Sequence, residues 1–310
     1  MDVLAFIDEQ VKAIRQAVGS DTALVALSGG VDSSTVAVLG HRALGDRLDC
    51  LYIDDGLMRK NEGPMVQGAF ANLGIKVRIL DATERFFAAL KGQVDAEAKR
   101  KAFRDTFYKT LGDAVSSSGA VWMLQGTIAA DVIETQKGIK TQHNILEQIG
   151  IDPLSKYGLR ILEPIRTLFK YQVREVARAL GLPPEISERQ PFPGPGLATR
   201  ILGEVTPERV ATVREAQAIV EEELAPFSPF QCLAVLFDDR ATGIREGQRE
   251  LGQIIAVRAV NSQDAMTASV VQLPWDVLVR LQQRICAEVP GVTKVLYDLT
   301  PKPPSTIEYI

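Results

Sequence analysis

Five short apolar, β-branched runs recur along the first half of the chain, Thr22–Leu27, Leu48–Ile53, Val77–Leu80, Val121–Leu124 and Leu159–Leu162, with helical patterns between them. Parallel strands cannot be joined by a tight turn. Each needs a crossover of roughly a dozen residues or more, for which a helix is the usual solution. The alternation therefore predicts an α/β fold with a mostly parallel, doubly wound sheet and helices on both faces. Between the third and fourth runs, Ala96–Ser117 sets apolar residues at helical spacing beside a polar face, which predicts a long crossover helix. The opening stretch MDVLAFIDEQVKAIRQA is amphipathic in the same way.

The segment Arg189–Gly196, RQPFPGPG, packs three prolines and two glycines into eight residues and reads as a rigid connection that no regular ladder can continue through. It sets the expected boundary between a first domain, 1–188, and a second, 189–310. In the second, Pro207–Leu224 and Trp275–Glu288 read as helices, and Cys232–Phe237, Gln253–Ala259 and Lys294–Leu299 as strands. Together they predict a smaller α+β domain, a sheet covered by two helices.

The sharpest local signal is Ala26–Ser34, ALSGGVDSS, between the first predicted strand and a helix expected over Ser33–Leu44. Gly29 and Gly30 let the main chain approach an anion, Ser28, Ser33 and Ser34 add hydroxyls, and a helix beginning here aims free N–H groups at the same point. A strand-to-helix turn with a serine cap would use the same SGG, so the strand–loop–helix setting carries the argument. No lysine follows the glycines, so the segment is not a Walker A loop. It suits a pocket that grips departing pyrophosphate better than one that transfers a terminal phosphate.

Asp54 falls at the carboxyl end of the second predicted strand, where open α/β sheets bind ligands, although Asp-Asp-Gly is also an ordinary turn. Asp131 and Glu134 would share one face of a helical turn, suited to Mg²⁺ or a nucleotide and equally to a solvated or capping pair.

Composition removes several classes. A net charge of −4 lacks the basic excess that phosphate-backbone binding uses, which argues against a nucleic-acid substrate. The three cysteines, Cys50, Cys232 and Cys286, form no CxxC pair, and two histidines, His41 and His143, make no His-rich metal site. No apolar stretch has bilayer length and the start is no leader peptide, so the expected compartment is the cytoplasm, with no membrane partner.

SGGVDSS resembles the pyrophosphate loop of the N-type ATP pyrophosphatases, a superfamily of GMP synthase, NAD synthetase, asparagine and argininosuccinate synthetases and tRNA-thiolating enzymes. Several segments are similar to the GMP synthase family in particular. They are Ile53–Glu62, Gln125–Glu134, Ile139–Asn144, Leu162–Lys170, Arg189–Thr206, Arg258-Ala-Val, Asp264–Ala268 and the closing Tyr297–Glu308. This resemblance covers nearly the whole chain.

It implies an adenine nucleotide alpha hydrolase-like domain followed by a dimerisation domain, and ligase chemistry. Oxygen 2 of xanthosine monophosphate attacks ATP, pyrophosphate leaves, and ammonia displaces AMP to give GMP, with ATP and Mg²⁺ as cofactors. Carried over by position, Asp32, Asp131, Glu134, Lys140 and His143 would be catalytic, Asp32 and Asp131 also holding the metal. Ser28, Gly29, Gly30, Val31, Asp32, Ser33, Ser34, Asp54 and Gly126 would hold ATP. Arg100, Arg258, Lys302, Thr306, Ile307 and Glu308 would hold xanthosine monophosphate, though a lysine such as Lys302 is as often a solvated charge.

The first predicted helix follows Met1 directly, so ammonia is expected from solution or from a separate glutamine amidotransferase subunit, and the family implies a homodimer. Ala129-Ala130 stands where the family commonly has Tyr-Pro, and Gln142 where it has the first of two histidines. These departures leave open a paralogue that amidates or thiolates another acceptor, for example tRNA, or a nucleotide-binding regulator.

Overall fold

The computed structural model describes residues 1–136, 158–263 and 265–310, with side chains in the helix ending at 136 described through 133. It divides into two compact units, each assembled from separate stretches. One comprises residues 1–54, 61–81 and 108–189, the other 55–60, 82–107 and 190–310.

The first unit opens with helix α1 (Val3–Val18), capped by Asp2, whose side chain accepts from the Ala5 N–H. Its Ile7, Ile14 and Val18 are buried on one face, as the amphipathic pattern requires. The expected strands form as β1 (Ala23–Leu27), β2 (Leu48–Asp54), β3 (Val77–Asp81), β4 (Trp122–Leu124) and β5 (Arg160–Leu162). All neighbours pair parallel, in the order β3-β2-β1-β4-β5. Helix α2 (Val31–Leu44) is buried along most of its length, with Val36, Ala37 and Leu39 fully enclosed. Each such Val or Leu contributes about 1.5–3 kcal/mol on burial, so this helix and the sheet beneath it anchor the unit. Helix α3 (Glu62–Ala71) adds Val66 and Phe70 to the same core.

The strand order reverses at β1: β2 and β3 lie to one side, β4 and β5 to the other. Open α/β sheets bind ligands beyond the carboxyl ends of the strands at such a reversal, and the ALSGGVDSS segment leaves β1 there. Further helices are α4 (Thr83–Leu90), α5 (Ala96–Ser118), α6 (Ala129–Gln136), α7 (Lys170–Ala179) and α8 (Pro184–Ser187). The long crossover helix is present as α5, one residue longer than its pattern suggested.

The second unit is built around a hairpin of β6 (Gln231–Arg245) and β7 (Gln248–Asn261), with β8 (Ser269–Val270) antiparallel and β9 (Val292–Tyr297) parallel to β7. Helices α9 (Pro207–Leu224) and α10 (Trp275–Glu288) complete it. The hairpin strands run well past the expected Cys232–Phe237 and Gln253–Ala259. The ladder resumes after an irregularity between Leu236 and Arg240 and closes on the two-residue turn Glu246-Gly247, both with positive φ. That extension is polar, so apolar patterning did not disclose it. Among the described residues no helix is long and apolar enough to cross a membrane.

Candidate active site

The loop after β1 is held by its own hydroxyls. Ser33 Oγ accepts from the Ser28 N–H at 3.2 Å and lies 3.1 Å from Ser28 Oγ, while the Gly30 N–H donates to Ser28 Oγ. Gly30 is the N-cap of α2 with no side-chain cap bond, and Val31, Asp32 and Ser33 form the first turn, whose N–H groups have no intrahelical acceptor. Gly29 has φ +73°, and a Cβ there would collide with Glu62 Oε1. Two constraints thus select glycine, the left-handed backbone and the neighbouring carboxylate. Gly126, just past β4, is needed for a different reason. A Cβ on it would come within 3.0 Å of the Asp32 and Ser33 backbone.

Around the loop sits a group of charges. Arg189 pairs with Glu62 through both carboxylate oxygens and also reaches the Gly29 carbonyl. Lys170, at the start of α7, donates to Asp32 Oδ2 at 2.6 Å. Burial pushes the Asp32 carboxyl above its ordinary range, Lys170 opposes the shift, and the charge of Asp131 adds to it. Asp131 itself accepts from the Ile128 N–H at 3.1 Å. Asp32 Oδ1, Ser34 Oγ, Gln125 Nε2 and Arg174 Nε are buried without a hydrogen-bond partner among the described residues. Buried polar atoms are normally satisfied, so several orphans around one anion-binding loop mark a place built for a polar ligand.

In the second unit the C-terminal tail is bound to the chain by two fully buried arginines. Arg258 donates from Nε to the Ile307 carbonyl, from Nη1 to Asp298 Oδ2 and the Thr300 carbonyl, and from Nη2 to the Thr306 carbonyl. Arg200 donates from Nε and Nη2 to the two oxygens of Glu308 at 3.2 and 2.9 Å, and Gln231 adds a third donor to Glu308.

Two family profiles match, the NAD synthase family over residues 2–109 and the GMP synthase C terminal domain over 219–309. Whole-chain relatives say more. A glutamine-hydrolyzing GMP synthase subunit of Methanocella arvoryzae is 51% identical over 310 residues, 100% of this chain and 99% of the relative. The corresponding subunit of Archaeoglobus fulgidus is 50% identical over 309 residues, 100% of both, and that of Pyrococcus furiosus 48% over 307 residues, 98% of this chain and 96% of the relative. The chain belongs to this GMP synthase subunit family. It is accordingly a ligase, with the α/β domain and C-terminal domain that the sequence motifs announced.

The structure brings one set of the expected GMP synthase residues together. Ser28, Gly29, Gly30, Val31, Asp32, Ser33 and Ser34 form one loop and helix start, with Gly126 against it and Asp131 close enough for its charge to act on Asp32. Asp54 ends β2, opposite Asp81 in the parallel register. Glu134 lies on α6, but its side chain, like the whole of Lys140 and His143, falls outside the described residues.

The acceptor set is more dispersed. Arg100 pairs with Glu97 on α5, and Arg258 bonds Asp298 and the carbonyls of Thr300, Thr306 and Ile307. Lys302 donates to the Ala265 carbonyl at 2.8 Å, Thr306 Oγ1 bonds the Glu308 carbonyl, and Ile307 is buried beside Val260 and Ala268. Sequence reading did not single out Lys170, Glu62, Arg189 or Arg200. Each lies inside a family-like segment, yet only folding brings Lys170 across 138 residues to Asp32.

Two carboxylates, Asp32 and Asp131, suit a magnesium ion, which is commonly held by one or two carboxylates with substrate phosphates and water supplying the rest. Asp32 Oδ1, buried and without a partner among the described residues, fits that use. Among the described residues no group of three or more His, Cys, Asp or Glu side chains is placed to hold a metal unaided.

Proposed function

We propose that this ligase makes GMP from xanthosine monophosphate, ATP and ammonia through an adenylyl intermediate, releasing pyrophosphate and then AMP. The reading is carried by the phosphate loop at the strand reversal, ringed by buried polar atoms that lack partners among the described residues. N–H groups of Gly29 through Ser33 face the departing pyrophosphate, and the positive end of α2 favours the charge that builds there. Lys170 takes the part of the lysine that the loop lacks, turning from Asp32 toward the phosphates when ATP enters.

Magnesium, held by Asp32 and Asp131, would neutralise charge on the pyrophosphate. Activation is required because the purine oxygen is a poor leaving group, and as an adenylate it departs with AMP when ammonia attacks the carbon. In the second unit the tail Lys302–Glu308 holds the acceptor nucleotide. The relatives are named as single subunits of glutamine-hydrolyzing enzymes, which supports a separate amidotransferase subunit as the ammonia source. The exposed Ile244 and Leu251 on the β6–β7 hairpin support self-association of this unit into a homodimer.

The test follows pyrophosphate, AMP and GMP from Mg²⁺-ATP and xanthosine monophosphate, with and without ammonium. GMP formed only with ammonium supports the reading. ATP binding without pyrophosphate release would sink it.

A further inference from the structure

One aromatic ring in the RQPFPGPG connection is held in an arrangement that neither loop-building nor core packing calls for. Phe192 carries two guanidinium groups over its ring, with Arg59 Cζ 4.1 Å from its centroid and Arg200 Cζ 4.5 Å. Both arginines are fixed. Arg59 donates from Nε to Glu221 at 2.6 Å and from Nη2 to the Gln190 carbonyl, and Glu221 also accepts from Gln217. Arg200 is fully buried and grips Glu308 with two parallel donors. Its Nη1 is buried with no acceptor among the described residues. Leaving a charged nitrogen so costs stability, and a chain that needed only a packed tail would use an apolar side chain there.

Glu308 keeps 22% of its side chain exposed although three donors hold it. It is thus a carboxylate oriented from behind and open in front. We propose that Phe192 is a positioning residue for the acceptor nucleotide: clamped against Arg59, it sets the plane of Arg200, and Arg200 fixes the Glu308 carboxylate that receives a donor group of the purine nucleoside monophosphate. This rests on the reading above that the tail holds the acceptor. A guanidinium over a ring is attracted by the face and constrained in its plane, and two parallel N–H bonds transmit that plane to a carboxylate. Phe192 touches no reacting atom and acts only through Arg200 and Glu308.

The experiment measures KM for xanthosine monophosphate, KM for ATP and kcat, with ammonium as nitrogen source, for Phe192→Leu, Phe192→Trp, Glu308→Gln and Phe192→Leu with Glu308→Gln. Thermal unfolding of each variant is followed in parallel. Phe192→Leu is expected to raise KM for the acceptor about tenfold, with KM for ATP and kcat within about twofold, and Phe192→Trp to restore it, since Trp offers the stronger face. The double variant should be no worse than Glu308→Gln alone, because residues acting through one group do not add.

If Glu308→Gln raises the acceptor KM while Phe192→Leu does not, or if the two effects add, the relay is overturned and the tail reading survives. If Glu308→Gln leaves the acceptor KM unchanged, the tail reading itself falls and the relay with it. A Phe192→Leu protein that melts early moves the question to Arg59→Gln, which removes the second guanidinium from the ring. An unchanged acceptor KM there also overturns the relay.

Discussion

The phosphate loop of the first unit and the Arg258 anchor of the second handle buried polarity in opposite ways. At the loop, Asp32 Oδ1, Ser34 Oγ and Arg174 Nε are enclosed without partners among the described residues, and burial raises the Asp32 carboxyl against the pull of Lys170. In the tail, Arg258 directs donors from all three nitrogens at Asp298 and three carbonyls. Unsatisfied buried groups cost stability and satisfied ones recover it. The loop is therefore a place where the fold gives up stability for a ligand, and Arg258 is where it consolidates the tail. Charge count alone would not separate the two.

The contrast is most exposed to failure at Asp32. Asp32→Asn removes a carboxylate assigned to metal and phosphate handling, so pyrophosphate release should fall by about a thousandfold, in the range of losing a main electrostatic group. The same change should leave the protein as stable at neutral pH or raise Tm by roughly 2 °C. A lowered Tm with activity retained would reverse the assignment. Arg258→Met should do the opposite. It strands Asp298 and three carbonyls in a dry site, at a cost of about 3–5 kcal/mol, read as a lower urea midpoint. At saturating acceptor its surviving folded fraction should still release pyrophosphate. Lys170→Met comes next, with about a hundredfold loss in pyrophosphate release and a near-unchanged Tm, since Lys170 is nearly half exposed. A loss confined to KM for the acceptor would remove Lys170 from the phosphate site.

Most of the sheet was legible because its signal is local. Each parallel strand is an apolar run and each crossover a 3.6-residue pattern, so all five strands and α5 fall within a few residues of expectation. The loop was legible for the same reason, its glycines and serines being contiguous. What could not be read is what folding alone assembles. Lys170 meets Asp32 across 138 residues, and Arg189 meets Glu62 across 127. Nor does sequence distinguish an arginine that holds the tail from one that holds a nucleotide. Arg258 was expected at the substrate by resemblance, while its contacts here are with the chain itself. The β6–β7 extension escaped because Arg240–Arg245 and Gln248–Gln253 carry no apolar alternation and pair through backbone bonds.

The smallest effect tests the sign of the comparison. In the second unit Arg284 of α10 reaches Glu222 and Glu223 of α9 and Glu288 of its own helix. Its bond, and then that of Arg280, hold the Glu223 carboxyl below its ordinary value of 4.5. A group lowered on folding stabilises the native state above its unfolded value, and that contribution is lost as pH falls through the folded value. Asp32 has the reverse sign. Its folded value is raised above 3.8, so the native state binds the extra proton and stability declines as pH rises through that interval. Arg284→Gln should therefore lower Tm by only about 1–2 °C at neutral pH, as exposed ion pairs do. The difference from the parent should close below pH 4. The Tm difference between Asp32→Asn and the parent should instead open upward as pH rises. Parallel melting curves from pH 3 to 7 compare the two directly; two differences of the same sign would mean that Asp32 is an ordinary paired carboxylate and the loop no more strained than the tail.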